Sequence, residues 1–386
     1  MSKKQLFALL GCNLIPWAVG NGLLPLLPAY ATNLGADAIW TGYFLALNQF
    51  TLALGCVVSG WLSDRLQRRK ALLFAAGVLA VPTTWLMGQT TNICYLAALA
   101  ATLWFLLGVE VTMLSILTGL FAEETERGKV FGILGMTSAL GSVIGSFLTG
   151  PIADRWGYQT LFGVAALALT ILLLIGSLLE DRVVARVQNR STTNIRDKYG
   201  LGTAFFLLLL VVLIGGMAGY VSLMGRSLAM TELGFAAAAI SIAFAITYAV
   251  SLLLRPLIGW LSDQVGRKLL MAVSYAAGAV GLLGLAVSES LWHFWVSAAV
   301  IGISLSAETV GTALTTDLLP KQSLGVGMSL YSAVGFAAGI IGFAGTGHAI
   351  QNLGMIATFL IAALFQLIAI VLLIPIRLPK KIGLHS

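Results

Sequence analysis

The sequence predicts an all-α membrane protein in which 12 transmembrane helices form two pseudo-symmetric six-helix bundles. The first reason is composition: of 386 residues, 59% are hydrophobic and only 10% are charged, whereas about a quarter of a soluble domain is charged. The second reason is the number of long apolar runs, and the third is an internal repeat. Because a spanning helix needs about 20 apolar residues, 12 of them fill most of the chain and leave no room for a soluble catalytic or nucleotide-binding domain.

Twelve apolar runs account for the predicted helices. They are too long for strands, and the loops that close them carry Gly, Asn, Asp or clustered charge. We number them as spans 1 to 12, at residues 6–31, 40–61, 71–88, 93–121, 130–151, 160–179, 201–224, 236–258, 269–288, 291–318, 325–347 and 352–376. Span 1 is too long for a signal peptide and contains three prolines, so we expect an uncleaved helix.

A polar stretch divides the chain into two units of six spans. Residues 180–200 form the longest such stretch and hold five basic residues. They predict a cytoplasmic linker between an N-terminal unit, 1–179, and a C-terminal unit, 201–386. The three cysteines lie in apolar runs without metal-ligand spacing, so we expect no disulfide, metal or cofactor.

The basic residues orient the chain in the membrane. When the connections are assigned alternately to the two sides, all of the 22 Lys and Arg except Arg155 and Arg226 fall on the side of the chain ends. Cytoplasmic loops carry this excess, so both termini are predicted to be cytoplasmic, in the inner membrane of a bacterial-type cell. The net charge of +7 therefore indicates membrane topology and no nucleic-acid partner.

The two units share sequence motifs at a constant offset. The pentapeptide Gly60–Asp64 recurs 199 residues later as Gly259–Asp263, and Asn33-Leu-Gly recurs as Glu232-Leu-Gly. Identical Trp, Ser and Asp positions are not expected by chance in an apolar background. Two parallel copies of one helical unit are typical of secondary transporters.

The segment from Gly60 to Lys70 resembles the cytoplasmic loop signature of the major facilitator superfamily, and Gly259 to Lys268 resembles its degenerate second copy. Gln67 stands where the family usually has Gly, whereas the second copy keeps Gly266. The resemblance covers the whole chain. It implies the major facilitator fold, a transporter rather than an enzyme, and a central cavity lined by spans 1, 4, 7 and 10.

The signature residues predict a gate at the cytoplasmic face. Glycine allows two helices to approach closely, and the charged groups can pair with each other or with a helix terminus. A solvated positive-inside anchor is the alternative, which we prefer for Arg69 and Lys70. The predicted gating residues are Gly60, Asp64, Arg65, Arg68, Gly259, Asp263 and Arg267.

Two carboxylates fall inside apolar spans, Glu110 in span 4 and Glu308 in span 10, 198 residues apart. A charged group at the centre of a span costs about 2.5–3.5 kcal/mol on insertion scales. A carboxyl group balanced between its neutral and ionised forms suits proton coupling, so we predict that both residues exchange protons at a watery pocket between the units. The alternative for Glu308 is a buried carboxyl capped by a neighbouring hydroxyl.

Polar residues at helical spacing predict the lining of that pocket. One face of span 10 is polar, and span 1 has a similar face interrupted by Pro16. Span 7 contributes weaker candidates, for which ordinary packing is as good an explanation. The predicted lining residues are Asn13, Trp17, Asn21, Tyr220, Ser304, Thr312 and Thr315. Arg226 and Arg255 are expected near helix ends and outside the pocket, so the pocket should lack a fixed cation.

Span 5 carries a glycine pattern that resembles the antiporter signature of drug:proton exporters. The pattern consists of Gly132, Gly141, Gly145, Gly150 and Pro151. In the family its glycines bend span 5 and pack it against span 8. Ser146 stands where the family has Pro, and Trp104 in span 4 stands where many proton-coupled members have Arg. Ordinary small-residue packing is the alternative.

These features predict a secondary active transporter that works by alternating access and exports a lipophilic or cationic compound in a proton-coupled reaction. A proton symporter or a uniporter for a small metabolite is the first alternative, and a receptor on the same fold is the second. The expected partners are a small-molecule substrate, protons and the lipid bilayer, and a monomer is expected to be functional.

Overall fold

A computed structural model describes residues 3–121, 127–179, 202–320 and 323–376. The predicted linker, 180–200, lies outside them. Over these residues the chain forms thirteen α-helices: α1 Lys3–Leu23, α2 Leu27–Asn33, α3 Ala38–Leu66, α4 Arg69–Met87, α5 Ile93–Phe121, α6 Arg127–Gly176, α7 Thr203–Glu232, α8 Ala237–Val265, α9 Arg267–Ala286, α10 Leu291–Ser304, α11 Ser306–Leu318, α12 Leu324–Leu353 and α13 Met355–Leu373.

Eleven helical stretches in the described chain are long and apolar enough to cross a membrane. One of them, Val130–Gly176, has 47 residues, and a helix of that length would measure about 70 Å, more than twice the hydrocarbon thickness of a bilayer. It is interrupted at Gly157, whose φ of 79° and ψ of 168° are not helical. The two parts of α6 correspond to spans 5 and 6, so the helical stretches match the predicted spans.

Spans 1 and 10 differ from their predicted form because each is interrupted. Span 1 was expected as one helix over 6–31, but α1 ends at Leu23 and α2 begins at Leu27. Pro25 lies in the break and Pro28 in the first turn of α2, where a missing N–H does least harm. Span 10 breaks at Leu305, between α10 and α11.

The helices pack mainly within two groups. In residues 3–176, α1 packs on α6, and α4 packs on both α5 and α6, while α3 packs on α5. In residues 203–373, α7 packs on α12 and α13, and α9 packs on α10 and α13, while α8 packs on α10. We call these groups the N-terminal and C-terminal halves. They meet along two main pairs of helices, α3 with α12 and α6 with α8, and through a smaller contact between α2 and α7.

Among the described residues, the hydrogen bonds between the halves lie toward one end of the bundle. We call the face that carries both chain ends the proximal face and the opposite one the distal face. A Cβ atom on Gly42, near the distal end of α3, would lie 2.7 Å from the carbonyl oxygen of Phe343 in α12. Between described residues of the two halves, the hydrogen bonds lie in the distal half of the helices: Pro25 with Ser227, Tyr43 with His348, Gln49 with Tyr220, and Asp154 with Ala237 and Ala238. The halves are therefore joined distally.

Candidate functional site

An ion pair between α8 and α11 is the centre of the candidate site. Nη2 of Arg255 lies 3.0 Å from Oε2 of Glu308, and Nε of Arg255 donates to Oγ of Ser251 at 2.8 Å. The Glu308 side chain is 67% exposed and that of Arg255 is 34% exposed. The pair is therefore accessible, and among the described residues the second carboxylate oxygen of Glu308 has no protein partner.

The ion pair lies within the membrane-spanning part of the bundle. Arg255 and Glu308 are each ten residues from the proximal ends of α8 and α11, about 15 Å along the helix axis. A charged pair at that depth is costly unless its groups face protein or water. Its exposure on the side where no hydrogen bond between described residues joins the halves indicates a polar space that opens toward the proximal face.

Three tyrosines lie near this pair, and the hydroxyl of one of them, Tyr331, donates to the backbone carbonyl of Glu308 at 3.4 Å. The Tyr220 hydroxyl accepts a hydrogen bond from Nε2 of Gln49 at 3.1 Å, which joins α7 to α3 of the other half. Tyr220 and Tyr331 lie close enough to Glu308, and Tyr248 close enough to Arg255, for electrostatic interaction. The site thus combines one anion, one cation and aromatic rings, which can bind organic cations and flat apolar groups.

The expectation that the pocket lacks a fixed cation is wrong, because Arg255 supplies one. Proximity to the helix end suggested a residue at the membrane surface. However, α8 extends to Val265, seven residues beyond the predicted end of span 8, so Arg255 lies deeper than expected. The sequence did contain a signal for this pairing: Arg255 and Glu308 are opposite charges inside apolar runs of the same half, and each needs a partner there. Gln49, Tyr248 and Tyr331 were also missed, because isolated polar or aromatic residues resemble packing residues.

The predicted polar face of span 10 is divided between two environments. The Thr312 hydroxyl donates to the backbone carbonyl of Glu308 at 2.8 Å, so it lies beside the ion pair. Thr315 is fully buried and donates to the carbonyl of Gly311. Ser304 packs against α9: a Cβ on Gly278 of α9 would lie 3.2 Å from the Cβ of Ser304.

The predicted lining residues of span 1 mostly join α1 to α6. Nδ2 of Asn13 donates to the Leu134 carbonyl and to the hydroxyls of Thr137 and Ser138, and Asn13 is 2% exposed. Nδ2 of Asn21 donates to Oγ of Ser142 at 2.8 Å. These bonds give the side-chain N–H donors of both residues partners within the N-terminal half.

Trp17, also in span 1, is different from its polar neighbours. Its side chain is half-buried, and its indole Nε1 is a buried atom without a hydrogen-bond partner among the described residues. An indole N–H is a donor only, and a buried donor without a partner is costly. Trp17 therefore keeps an unused donor.

Glu110 lies in the core of the N-terminal half and not beside Glu308. Its side chain is fully buried, and neither carboxyl oxygen has a hydrogen-bond partner among the described residues. A Cβ on Gly77 of α4 would lie 3.6 Å from Oε1 of Glu110 and 2.7 Å from a methyl carbon of Leu173. Glu110 thus faces α4 and the second part of α6, whereas Glu308 faces α8. The two acids are near repeat equivalents in sequence but occupy different faces of their helices.

The first copy of the loop signature has an unusual backbone. Gln67 is the one described residue other than glycine with a positive φ, 55°, and Gly266 at the corresponding place has a φ of 107°. Left-handed backbone costs a side-chain-bearing residue about 1–2 kcal/mol, which accounts for the glycine that the family has there. Gln67 therefore adopts a positive φ at some cost, and its ψ of 19° differs from the 128° of Gly266, so the two copies turn differently.

The charged residues of the two signature copies differ in their contacts. Arg267 pairs with Asp263 at 3.1 Å and with Asp317 of α11 at 2.8 Å, within the C-terminal half. In the first copy, Arg65 stacks over the Trp61 ring at 5.4 Å, and among the described residues Asp64 and Arg68 form no ion pair.

Gly60 and Gly259 make no close helix contact in this conformation. A Cβ on Gly60 would meet nothing within 4 Å, and one on Gly259 would lie 3.9 Å from Thr309. In the first signature copy, Asp64, Arg65 and Arg68 are exposed at the proximal face, whereas Ser63 and Arg69 are buried.

The glycines of span 5 contact two different helices. Cβ atoms on Gly141 and Gly145 would lie 2.3 and 2.0 Å from the carbonyl oxygens of Leu14 and Ala18 in α1. A Cβ on Gly150 would lie 2.4 Å from the carbonyl oxygen of Ala237 in α8. The expectation that these glycines pack span 5 against span 8 therefore holds for Gly150 and is wrong for Gly141 and Gly145. Gly132 has open space around it, and Pro151 lies exposed within α6.

Comparison with known proteins identifies the family. The model of the Major Facilitator Superfamily matches residues 6–225 and 206–385. The multidrug resistance protein MdtG of Serratia proteamaculans (strain 568) is 25% identical over 316 residues, which is 78% of this chain and 75% of the relative. MdtG of Citrobacter koseri is 24% identical over 310 residues, 76% of this chain and 75% of the relative.

Solved structures share the fold at low sequence identity. The nucleoside transporter NupG has a TM-score of 0.79 and 14% identity, over 96% of this chain and 98% of that one. A bacterial homologue of the human lysosomal transporter Spinster, inward-facing and unoccupied, has a TM-score of 0.74 and 13% identity, over 98% of this chain and 100% of that one. The peptide transporter POT in complex with sulfate has a TM-score of 0.75 and 15% identity, over 96% and 93%.

These matches cover nearly the whole chain, and they agree with its apolar helices and with the loop signature. This protein therefore belongs to the Major Facilitator Superfamily and is a multi-pass membrane transporter of small molecules, not an enzyme.

Proposed function

We propose that this protein is a secondary active transporter that exports a lipophilic or cationic compound in exchange for protons. The observation that carries the proposal is the Arg255–Glu308 pair, in which an exposed carboxylate deep in the bundle uses one of its oxygens for an internal cation. The similarity to MdtG multidrug resistance proteins supports export. The aromatic surroundings of the pair support a substrate with apolar or cationic groups.

The pair provides a physical route for coupling. An ionised Glu308 is stabilised by Arg255, and a proton or a substrate cation that takes its charge weakens that ion pair. A proton and a cationic substrate therefore compete for one carboxylate, which is the requirement for exchange. Glu110 enters the proposal as a second proton-exchanging carboxyl, and we expect it to contribute through a conformational change that gives water access to its buried position.

The proposed cycle uses two pseudo-symmetric six-helix bundles, residues 1–179 and 201–386, joined by a cytoplasmic linker at 180–200. Repeat-related contacts support this division. Nζ of Lys70 donates to the carbonyls of Ser177 and Leu179, and Nζ of Lys268 donates to those of Ile374 and Ile376. In each unit a lysine at the start of the third span thus holds the end of the sixth.

In this cycle the present conformation is the one closed at the distal face. Alternating access then requires the distal contacts to open and the loop signatures at the proximal face to close, with Gly60, Asp64, Arg65, Arg68, Gly259, Asp263 and Arg267 as the gating residues. We place the proximal face in the cytoplasm of a bacterial-type cell, at the inner membrane. Because these contacts between the units are formed within one chain, we propose that the monomer is functional.

Uptake of a small metabolite is the second candidate. The paired charges of Arg255 and Glu308 leave the site without net charge, and such a site suits a zwitterionic or neutral polar solute as well as a cation. The fold neighbours NupG and POT are named as nucleoside and peptide transporters. Direction and substrate class therefore have to be measured together.

The test is transport by purified protein in lipid vesicles. A panel of lipophilic cations, sugars and amino-acid-like solutes is followed with and without an imposed pH gradient. We expect a lipophilic cation to move against its gradient when the pH gradient is present, and Glu308→Gln to reduce this movement to the rate without the gradient. Glu110→Gln is measured in parallel, and Glu289→Gln, on an exposed distal loop, is the matched control.

If Glu308→Gln and Glu110→Gln both couple normally, proton exchange at these acids is wrong. If sugars or amino-acid-like solutes accumulate instead of the cation, uptake replaces export. If no solute moves with any driving force, the transport reaction proposed here is wrong.

A further inference from the structure

The N-terminus of α8 lacks a capping side chain of its own. The first residues of a helix have free N–H groups, which an Asp, Asn, Ser or Thr at the N-cap position usually satisfies. In α3 this residue is Asp37, whose Oδ1 accepts from the N–H of Trp40 at 2.7 Å. The position 199 residues later, at the N-cap of α8, is Ala236, which offers no such group.

The other half of the protein supplies the missing cap. Oδ1 of Asp154 accepts from the N–H of Ala237 at 2.9 Å, and Oδ2 accepts from that of Ala238 at 2.8 Å. Asp154 lies near the distal end of the first part of α6, four residues after Gly150, whose contact with Ala237 leaves no room for a side chain. One carboxylate thus bonds to two consecutive N–H groups across the boundary between the halves.

From this geometry we infer that Asp154 is a positioning residue of the transport cycle, which holds the distal face closed by capping α8 from the opposite half. The inference rests on the proposed alternating access. When the distal ends separate, the carboxylate and the helix terminus separate as well, and Ala236 cannot replace the lost bonds. At the repeat-related N-terminus of α3 the cap is part of the same helix and is present whether the face is open or closed.

The difference between the caps of α3 and α8 leads to a quantitative prediction. Loss of an N-cap weakens the capped state about two- to thirtyfold relative to the uncapped state. Because only the distally closed state is capped by Asp154, Asp154→Ala should raise the ratio of open to closed protein by that factor. A carboxylate also interacts favourably with the positive end of the helix dipole, so the charged cap belongs in the upper part of the range.

The experiment measures the distance between the distal ends of the two halves. Spin labels are placed at Thr91 and Glu289, which lie on exposed distal loops of the N-terminal and C-terminal halves, in a background without the native cysteines. Pulsed electron spin resonance in lipid vesicles gives the fractions of the short and long distances. Asp154→Ala should increase the long-distance fraction, and Asp37→Ala, which removes a cap within one helix, should leave it unchanged.

A second variant separates gating from ordinary helix stabilisation. Ala236→Ser supplies α8 with a cap of its own, in both states, so it should raise thermal stability and yet increase the long-distance fraction. In the Asp154→Ala background, Ala236→Ser should raise thermal stability without a further change in the distances. If Asp154 has a purely structural role, the opposite result is expected: in the Asp154→Ala background, Ala236→Ser restores the short distance.

Three results decide the matter. Suppose that added solute raises the long-distance fraction of the unmutated protein, but Asp154→Ala has the same fraction as the unmutated protein. This result overturns the capping role and leaves alternating access intact. An equal rise in Asp37→Ala and Asp154→Ala overturns the capping role too. If no variant and no solute produces a long distance, and the vesicles transport nothing, then alternating access itself is wrong.

Discussion

Arg226 is a guanidinium buried in the C-terminal half with a hydroxyl as its hydrogen-bond partner. It is 2% exposed, its Nη1 donates to Oγ1 of Thr247 at 2.8 Å, and it stacks on the Phe244 ring at 3.8 Å. Among the described residues no carboxylate pairs with it, and its Nε has no partner. The cost of removing a buried charge from water is therefore offset by one hydrogen bond and one cation–π contact.

We predict that Thr247→Val lowers the thermal stability of the purified protein more than Arg226→Met does. The first variant leaves a buried cation without its acceptor, which costs about 1–3 kcal/mol. The second removes the charge together with its desolvation cost, a change that is often neutral. Thr102→Val, on an exposed face of α5, controls for the loss of a threonine hydroxyl. A larger loss in Arg226→Met than in Thr247→Val would show that the charge itself stabilises the fold.

Single residues also mark the limit of what the sequence predicts about the site. Glu308 was found because an acid inside an apolar span is rare and costly. Arg255 carries the same signal, but a helix end placed seven residues too early hid its depth. Trp17 and Asn13 have the spacing of one polar face. The indole N–H of Trp17 has no partner among the described residues, whereas the side-chain amide of Asn13 donates to α6. Periodicity predicts the face of a helix, not the element that covers it.

At the level of the helices, α1 and α6 approach closely within the N-terminal half. Gly145 allows it, since a Cβ there would lie 2.0 Å from the carbonyl oxygen of Ala18. Gly132 lies between three and four turns closer to the start of the same helix, and a Cβ there would have nothing within 4 Å. Identical residues of one sequence motif thus have different physical roles.

We therefore predict opposite effects of alanine at these two glycines. Gly145→Ala should lower the thermal midpoint of the protein in detergent, because a backbone contact at 2.0 Å cannot be relieved by a side-chain rotation and the helices must separate. Gly132→Ala should leave the midpoint unchanged or raise it, since alanine is favoured over glycine in a helix by about 0.5–1 kcal/mol. Equal effects of the two substitutions would contradict the packing described here.

The positions of the spans could be predicted from the sequence, because span length is set by the bilayer and apolar runs are long. The interruptions could not be predicted equally well. The break after Leu23 has a sequence signal in Pro25 and Pro28, whereas that at Leu305 has none. The predicted partner helix of Gly141 was wrong for a related reason. A small residue indicates that another helix approaches closely, but it does not identify that helix.

For the whole molecule, the loop charges make a prediction about orientation. All but two of the 22 Lys and Arg belong to one side of the predicted topology, and this bias places that side in the cytoplasm. A cysteine introduced at Thr91, on the distal face, should react with a membrane-impermeant maleimide added to intact cells. A cysteine at Arg68, on the proximal face, should react only after the cells are opened. The reverse pattern would invert the membrane orientation and the direction of transport with it.

The repeat predicts two similar units but not which of their ends touch. Both the open and the closed arrangement must be compatible with the same sequence in a protein that alternates between them. In the present structure the choice is visible in contacts such as that of Tyr43 with His348, at 2.8 Å. This contact joins residues 305 positions apart, so no local sequence pattern predicts it.

The lysine contacts at the proximal face have a consequence for chain continuity. Lys70 fastens the terminal turn before the linker, and Lys268 does the same for the last helix of the chain. Each unit thereby secures its own final helix with a side chain from its own third span. A cut in that segment would leave two fragments with anchored ends, each able to assemble with the other as a separate polypeptide.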